Sequence, residues 1–172
     1  MTTRDGTHGE VVPSVRTARA HAFASRFSSP AESPGFLLWK AANLHQRLQR
    51  QALADLGISP TQFSLLASYF FLSSTHRRPV SQAELAQHAA LDKMLVSDGT
   101  RALLGQRLIV RRRSRTDGRA FAIDLTKQGV AVCNRALRVI EETDAAFFAR
   151  TGDVPAFVDL VAKLLTDPSA GD

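Results

Sequence analysis

The chain has 172 residues, of which 44% are hydrophobic, and this is enough for one packed domain or for a domain with an appended dimerisation layer. Its formal charge of +6 at pH 7 favours a polyanionic partner, although charge alone does not choose DNA over RNA or a membrane surface. A single cysteine, Cys133, excludes an internal disulfide framework and is typical of a reducing cytoplasm. No apolar run approaches the roughly 20 residues of a membrane span, and no signal-peptide pattern opens the chain.

The N-terminal third of the chain is predicted to contain a polar arm and one long helix. Residues 1–34 are rich in Thr, Ser, Gly, Pro and Arg, which predicts a flexible arm with at most a short extra helix within residues 11–27. A helix is predicted from residue 35 to residue 56, with Gly57 as its C-terminal stop. Its apolar stripe is marked by Leu37, Ala41, Leu44 and Leu48.

A second helix is predicted to follow at once and to lie at the centre of the fold. Ser59 can cap it, Pro60 suits its first position, and Gln62 can complete a capping box. This helix is apolar on several sides, and its periodicity predicts a buried stripe of Phe63, Leu66, Ala67 and Phe70.

Two short helices joined by a tight turn come next. Ser81 and Glu84 have the spacing of a capping box, which opens a helix ending near His88, and Asp92 is a predicted N-cap for the following helix. A projection at 100° per residue divides that following helix into two faces. A small or apolar face contains Val96, Gly99, Thr100 and Leu103, and a polar face contains Lys93, Ser97 and Arg101, flanked by Met94 and Asp98.

A basic two-stranded ribbon is predicted after these helices. Phe121, Ile123 and Leu125 alternate with Ala122 and Asp124 as in a half-buried strand, and Asp117-Gly118 is a turn signal. Between residues 93 and 119 there are eight Lys and Arg residues against two Asp residues, so this stretch holds an excess equal to the whole chain's +6. A basic ribbon beside a polar helix face is typical of a protein that binds duplex DNA.

The C-terminal part is predicted to form a long helix and a shorter one. Thr126 is a suitable N-cap for a helix to about residue 150, and Gly152 separates it from a last amphipathic helix. The small core of the preceding short helices and ribbon cannot cover all these apolar faces, which favours a second copy of the chain as partner. The long helix has a predicted seam of Val130, Cys133, Leu137, Ile140, Asp144 and Phe147.

The order of elements and two motifs resemble one known family. The stretch Asp117-x-Arg119-Ala120-x-x-Ile123-x-Leu125-Thr126-x-x-Gly129 resembles the wing signature of the MarR (multiple-antibiotic-resistance regulator) family. Asp92-Lys93-Met94-x-x-Ser97 resembles the start of that family's recognition helix, and the looser match runs from about residue 35 to residue 165. The resemblance implies a mainly α fold with a small β-wing. A winged helix-turn-helix lobe would occupy residues 59–126, and a helical dimerisation layer would comprise residues 35–58 and 127–167.

The resemblance also implies how DNA would be bound. A homodimer would place two recognition helices in successive major grooves of double-stranded DNA, so the operator should be a pseudo-palindrome. Arg119 has the position of a wing arginine in the minor groove, and Asp117 that of the acid that braces wing arginines. Either Arg113 or Arg115 could be the partner of Asp117, and turn chemistry alone could also account for Asp117. The remaining predicted contacts to bases or phosphates are Ser81, Gln82, Lys93, Met94, Ser97 and Arg101.

Family members often bind small aromatic acids or phenols where the dimer layer meets the DNA-binding lobe. Five side chains could line such a pocket here, although packing in the core is the favoured explanation for each of them: Trp39, His45, Phe63, Tyr69 and Phe70. Cys133 is predicted to be a buried, unreactive thiol.

Three residues depart from the family pattern. Asp98 adds a negative charge to the predicted DNA-facing side, where it would weaken affinity or select a cytosine amino group. Gly99 lies inside the recognition helix and is expected to cost about 0.5–1 kcal/mol relative to alanine. Arg107 stands where the family usually has glycine before the first wing strand.

The sequence contains no motif that indicates an enzyme. No phosphate-binding glycine loop, metal-ligand spacing or activated nucleophile is evident, so neither a cofactor nor a metal is expected. The sequence therefore predicts a sequence-specific, cytoplasmic transcriptional regulator, and the resemblance favours a repressor. Two alternatives remain open: a non-specific architectural DNA-binding protein, and a winged-helix module that binds another protein.

Overall fold

The structure is a computed structural model that describes residues 24–76, 80–113 and 121–166. Two compact units divide the chain, residues 1–40 and residues 41–172. The predicted extra helix within residues 11–27 lies largely outside the described residues, and a 3₁₀ turn, Pro30–Glu32, precedes the first long helix.

The architecture is six α-helices and one two-stranded antiparallel sheet among the described residues, which confirms the predicted mainly α fold with a small wing. Further 3₁₀ turns follow α1 and α5, at Ala54–Leu56 and Ala149–Thr151. The elements are α1 (Pro34–Ala52), α2 (Pro60–His76), α3 (Gln82–His88), α4 (Lys93–Gly105), β1 (Ile109–Arg113), β2 (Phe121–Leu125), α5 (Lys127–Phe148) and α6 (Val154–Leu165).

The end of α1 differs from the prediction of one helix to residue 56. The α-helix stops at Ala52, and the chain tightens into the Ala54–Leu56 turn before Gly57, whose φ is 65°. Glycine adopts this left-handed conformation without the steric cost that a Cβ atom brings, so Gly57 acts as the predicted stop.

Helix α2 is the centre of the larger unit, as predicted, and packs against α3, α4, α5 and β2. Its predicted capping box is present: the Ser59 N–H donates to Gln62 Oε1 at 2.7 Å, and the Gln62 N–H donates to Ser59 Oγ at 3.2 Å. The predicted buried stripe is wrong in part, because α2 is apolar on several sides and periodicity cannot rank them. The residues actually buried include Leu65, Leu66, Tyr69 and Leu72, whereas Phe70 is 39% exposed.

The sheet has the predicted alternation. Ile109 pairs with Leu125, Arg111 with Ile123, and Arg113 with Phe121. Ile109 and Ile123 are buried against the core, while Asp124 is exposed. The inner face of the ribbon is thereby attached to the helical lobe.

Helix α5 buries a stripe that is rotated from the predicted seam. Cys133 and Ile140 are buried as expected, but their buried companions are Gly129, Val132 and Ala136, because this face packs on α2 of the same chain. Helices α1 and α6 bury no residue. In the part of the chain that the structure describes, no helix combines the length and apolar content needed to cross a membrane.

Candidate nucleic-acid interface

The N-terminus of α3 is built by the predicted capping box. The Glu84 N–H donates to Ser81 Oγ at 3.2 Å, and the Ser81 N–H donates to Glu84 Oε2 at 2.9 Å. The Ser81 hydroxyl also donates to Glu84 Oε2 at 2.8 Å, so Glu84 already accepts its proton. Gln82 is exposed in the first turn of α3, beside the backbone N–H groups that attract anions.

Helix α4 has the two faces that the sequence predicted. Asp92 caps it by accepting from the N–H groups of Met94 and Leu95, both at 2.8 Å. The buried residues are those of the predicted small face, Val96, Gly99, Thr100 and Leu103. On the other side Lys93, Met94 and Arg101 are exposed and Ser97 is half-buried. One short helix is thus held by its rear face while its front is open to solvent.

Gly99 corrects a prediction of the sequence analysis. It was counted as a cost relative to alanine, but a Cβ atom at Gly99 would overlap Leu65 Cδ1 on α2. Leu65 is fully buried and has little room to yield. Alanine at position 99 would therefore force the buried Leu65 side chain to shift, which offsets the gain in helix propensity.

The Asp98 and Arg101 side chains form an ion pair on the open face of α4. Arg101 Nη1 lies 2.9 Å from Asp98 Oδ1, and the two side chains are 75% and 59% exposed. The charge that the sequence identified as a departure from the family pattern therefore lies against a predicted DNA contact.

Two residues other than glycine take left-handed backbone conformations near this surface, Ala90 at φ 50° and Arg107 at φ 59°. Ala90 is in the turn between α3 and α4. Arg107 follows the C-cap of α4, and its φ explains why the family that the sequence resembles usually has glycine there. The end of α4 is also held by Gln106, whose amide donates to the Gly57 carbonyl at 3.0 Å.

Thr126 and Gly129 join the wing to α5. From the sequence, only the capping of α5 by Thr126 was predicted. The Thr126 hydroxyl lies 2.9 Å from the Arg107 carbonyl oxygen and 3.2 Å from that of Leu108. It also accepts from the Gly129 N–H at 2.9 Å, which caps α5. A Cβ atom at Gly129 would overlap the Leu108 carbonyl oxygen. The Thr126-x-x-Gly129 spacing was visible in the sequence, but its partner strand was not.

The remaining predicted DNA contacts belong to the predicted wing. Arg111 is exposed on β1. The side chain of Arg113 and all of Arg115, Asp117 and Arg119 lie outside the described residues, so the bracing role of Asp117 stays a prediction.

A cavity of about 340 Å³ lies between α2, β2 and the start of α5. Tyr69 and Phe70 line it, as two of the five predicted pocket residues. The other lining residues are Ser73, Ser74, Ile123, Asp124, Leu125 and Val130. Of the other predicted pocket residues, His45 pairs with Asp144 at 2.7 Å and Phe63 is half-buried against the core. Within residues 1–40, the Trp39 ring stacks on Phe36 at 5.9 Å between centroids.

Tyr69 has a strongly perturbed hydroxyl. Burial raises its pKa to about 12, and the smaller influences of Thr100 and Arg111 lower it. The hydroxyls of Tyr69 and Thr100 are both buried, and neither makes a hydrogen bond of ordinary geometry with the other or with other described groups. The proximity of the two hydroxyls therefore offsets little of the free energy that their burial costs.

Cys133 and the histidines among the described residues suggest no further chemistry. Burial raises the pKa of the Cys133 thiol, which keeps it protonated and supports the predicted unreactive role. Among residues 24–76, 80–113 and 121–166, no cluster of three His, Cys, Asp or Glu side chains could hold a metal ion.

Known proteins share this chain's sequence and fold. No family model matches the chain. The uncharacterised HTH-type transcriptional regulator YdcH of Bacillus subtilis is 36% identical over 141 residues, covering 82% of this chain and 95% of YdcH. The HTH-type transcriptional repressor Rv2887 of Mycobacterium tuberculosis is 30% identical over 116 residues, covering 67% of this chain and 80% of the relative.

Solved structures agree with these relatives. Rv2887, described as a MarR family protein in complex with salicylic acid, has a TM-score of 0.61 at 28% identity, covering 78% of this chain and 98% of that one. CouR of Rhodococcus jostii, bound to p-coumaroyl-CoA, has a TM-score of 0.70 at 20% identity, covering 81% and 93%. CouR has also been solved on a 23-mer DNA duplex. These are transcriptional regulators rather than enzymes, and the chain belongs to the MarR family of winged helix-turn-helix transcriptional regulators.

Proposed function

We propose that the protein is a sequence-specific repressor that binds a pseudo-palindromic operator as a homodimer in the cytoplasm. The observation that carries this proposal is the division of α4: four residues of its rear face are buried, while Lys93, Met94 and Arg101 are open on its front. A helix anchored in this way can enter a major groove without unfolding its support. Relatives named as repressors and structures solved on DNA support the same function.

The exposed apolar surface supports the homodimer. In residues 1–40, Phe36, Leu37, Leu38 and Trp39 are between 42% and 63% exposed. In residues 41–172, five apolar side chains of α6 are between 40% and 80% exposed: Val154, Val158, Leu160, Leu164 and Leu165. Such surface is costly to leave in water, and a two-fold partner would cover it while setting two α4 helices at the spacing of a palindrome.

The first test is selection of random duplex DNA by the purified protein, repeated with the Arg119→Ala variant. A recovered pseudo-palindrome, with weaker binding by the variant, is the expected result for a dimer that uses its wing. Binding without any recovered motif would instead indicate an architectural protein. No binding at low salt would exclude both readings and favour a protein-interaction module.

We also propose that the cavity between α2, β2 and α5 receives a small aromatic ligand that releases the protein from DNA. Its volume of about 340 Å³ suits such a molecule, and apolar side chains line it together with Ser73, Ser74 and Asp124. A ligand changes operator affinity only if it binds one arrangement of the dimer better than the other. The structure of Rv2887 with salicylic acid supports this class of ligand.

Calorimetry with salicylate and with phenol tests the ligand proposal. Ser74→Phe should fill the cavity from its exposed side and abolish binding of whichever probe the protein takes. Thr75→Phe is the matched control, since Thr75 is exposed next to Ser74 but does not line the cavity. Equal binding by both variants would place the ligand elsewhere, and no binding of either probe by the unaltered protein would reject small phenols as the class.

A further inference from the structure

The open face of α4 carries almost no net charge. Lys93 and Arg101 are positive, but Asp98 and the N-cap Asp92 are negative, so the four charges cancel. Strand β1, in contrast, contains the three consecutive arginines of residues 111–113. Because phosphate binding depends on the number of cations that reach the backbone, α4 is poorly suited to anchor DNA by charge.

The ion pair on α4 contributes little to folding stability. Both side chains are more than half exposed, and an ion pair in water contributes roughly 0–1 kcal/mol. An aspartate facing phosphates also reduces affinity for any DNA. We therefore expect the Asp98–Arg101 pair to affect DNA binding rather than the stability of the free protein.

Arg101 differs from a free arginine in its geometry. The guanidinium group has five N–H donors in one plane, and the contact from Nη1 to Asp98 Oδ1 at 2.9 Å restricts the orientation of that plane relative to the helix. A fixed plane suits the paired O6 and N7 acceptors of guanine in the major groove. Neutralisation by Asp98 at the same time weakens the attraction of Arg101 to phosphate.

We propose that Asp98 is a positioning residue that directs Arg101 to a guanine in each half-site and keeps it from the phosphate backbone. The phosphate contacts then come mainly from the wing arginines, and α4 supplies sequence discrimination. This inference rests on the proposed function as a sequence-specific DNA-binding protein.

The test compares Asp98→Asn, Arg101→Ala and the double variant with the unaltered protein. Dissociation constants are measured for the selected operator and for random duplex over a series of salt concentrations, and the DNA selection is repeated with each variant. Glu141→Gln is the matched control, because it removes one negative charge from an exposed position on α5. It should leave the selected motif unchanged.

Arg101→Ala should lower the preference for operator over random DNA about 10-fold, with the loss confined to one G·C position in each half-site. Its salt dependence should stay unchanged, because no phosphate contact is lost. Asp98→Asn should bind random DNA more tightly, steepen the slope of log K against log salt by about 0.9, and lower the preference about 10-fold. The double variant should resemble Arg101→Ala.

Three results would overturn the inference. Equal gains on operator and random DNA for Asp98→Asn, with the same selected motif, would show a plain charge effect. A salt slope that becomes shallower by about 0.9 in Arg101→Ala would show that this arginine contacts phosphate. Absence of any operator preference in the unaltered protein would remove the proposed function as well, and it would be seen before any variant is tested.

Discussion

Single glycines in this protein differ in what surrounds them. Gly129 lies under the Leu108 carbonyl where the wing meets α5, and a Cβ atom there would overlap backbone that is held by Thr126. Gly105, at the end of α4, has open space around its Cα atom. The two positions therefore respond in opposite ways to the same substitution.

Gly129→Ala should lower the free energy of unfolding by about 3 kcal/mol, because the overlap forces β1 or α5 to move. Gly105→Ala is the control and should raise the free energy of unfolding by about 0.5 kcal/mol through the lower entropy of the unfolded chain. Urea denaturation measures both. An unchanged free energy for Gly129→Ala would contradict the close contact between α5 and the wing.

The raised pKa of Tyr69 predicts that the protein loses stability at alkaline pH. Its pKa is about 12 in the folded chain against an ordinary value of 10.0, so the folded state holds the phenol proton more tightly. The corresponding stability is fully present below pH 10 and is lost as the pH rises towards 12, at up to about 1.4 kcal/mol per pH unit.

Tyr69→Phe should remove that part of the alkaline loss. It should change the free energy of unfolding at pH 7 by less than about 1 kcal/mol, because the hydroxyl that it deletes is buried without a good hydrogen bond. Since Tyr69 is the one tyrosine of the sequence, near-ultraviolet absorbance of the phenolate reads its titration directly. Titration near pH 10 in the folded protein would contradict its burial.

At the scale of elements, the turn between α3 and α4 sets how α4 is presented. Ala90 holds a φ of 50° there, a conformation that costs a residue with a Cβ atom roughly 1–2 kcal/mol. Ala90→Gly should raise the free energy of unfolding by about 0.5–1 kcal/mol after the greater entropy of unfolded glycine is subtracted. Ala89→Gly, at φ −86°, should lower it, and thermal denaturation of the two variants makes the comparison.

The second half of α1 is joined to α5 by a polar contact within an aromatic cluster. His45 Nε2 lies 2.7 Å from Asp144 Oδ1, and the rings of Phe147 and Phe148 lie 5.1 and 5.3 Å from the imidazole. Asp144, which interrupts the predicted apolar seam, is thus explained by a partner 99 residues away.

A double-mutant cycle of His45→Ala and Asp144→Ala should give a coupling energy of about 1 kcal/mol in urea denaturation, since both groups are partly buried. The cycle of His45→Ala with Glu142→Ala is the control, because Glu142 is an exposed acid on the same helix, and its effects should add. Additivity in both cycles would show that the contact contributes nothing.

At the scale of the whole molecule, the exposed apolar side chains of α6 predict self-association. Leu164 is 72% exposed, so Leu164→Glu should leave the fold of one chain intact while placing a charge in the proposed dimer interface. Sedimentation equilibrium should show monomers and a loss of operator affinity. Lys163→Glu, which alters the charge at a neighbouring exposed position, should remain dimeric, and a dimer in both variants would exclude this face from the interface.

Much of the fold follows from local sequence. The caps at Ser59, Ser81, Asp92 and Thr126 were all predicted and all form, because capping depends on side chains within three residues of the helix start. The two faces of α4 followed from its periodicity for the same local reason.

Tertiary structure decided which of several apolar faces is buried and which distant residues meet. Periodicity could not select the buried stripe of α2 or α5, because each has apolar residues on more than one side and the neighbouring elements determine which are covered. Three features depend on contacts across long sequence separations: the close approach of Gly99 to Leu65, the hydrogen bonds of Thr126 just before the first wing strand, and the pairing of His45 with Asp144. Sequence alone determined the order of the helices, the caps at Ser59, Ser81, Asp92 and Thr126, and the basic ribbon; packing determined how α4 is held with its polar face open.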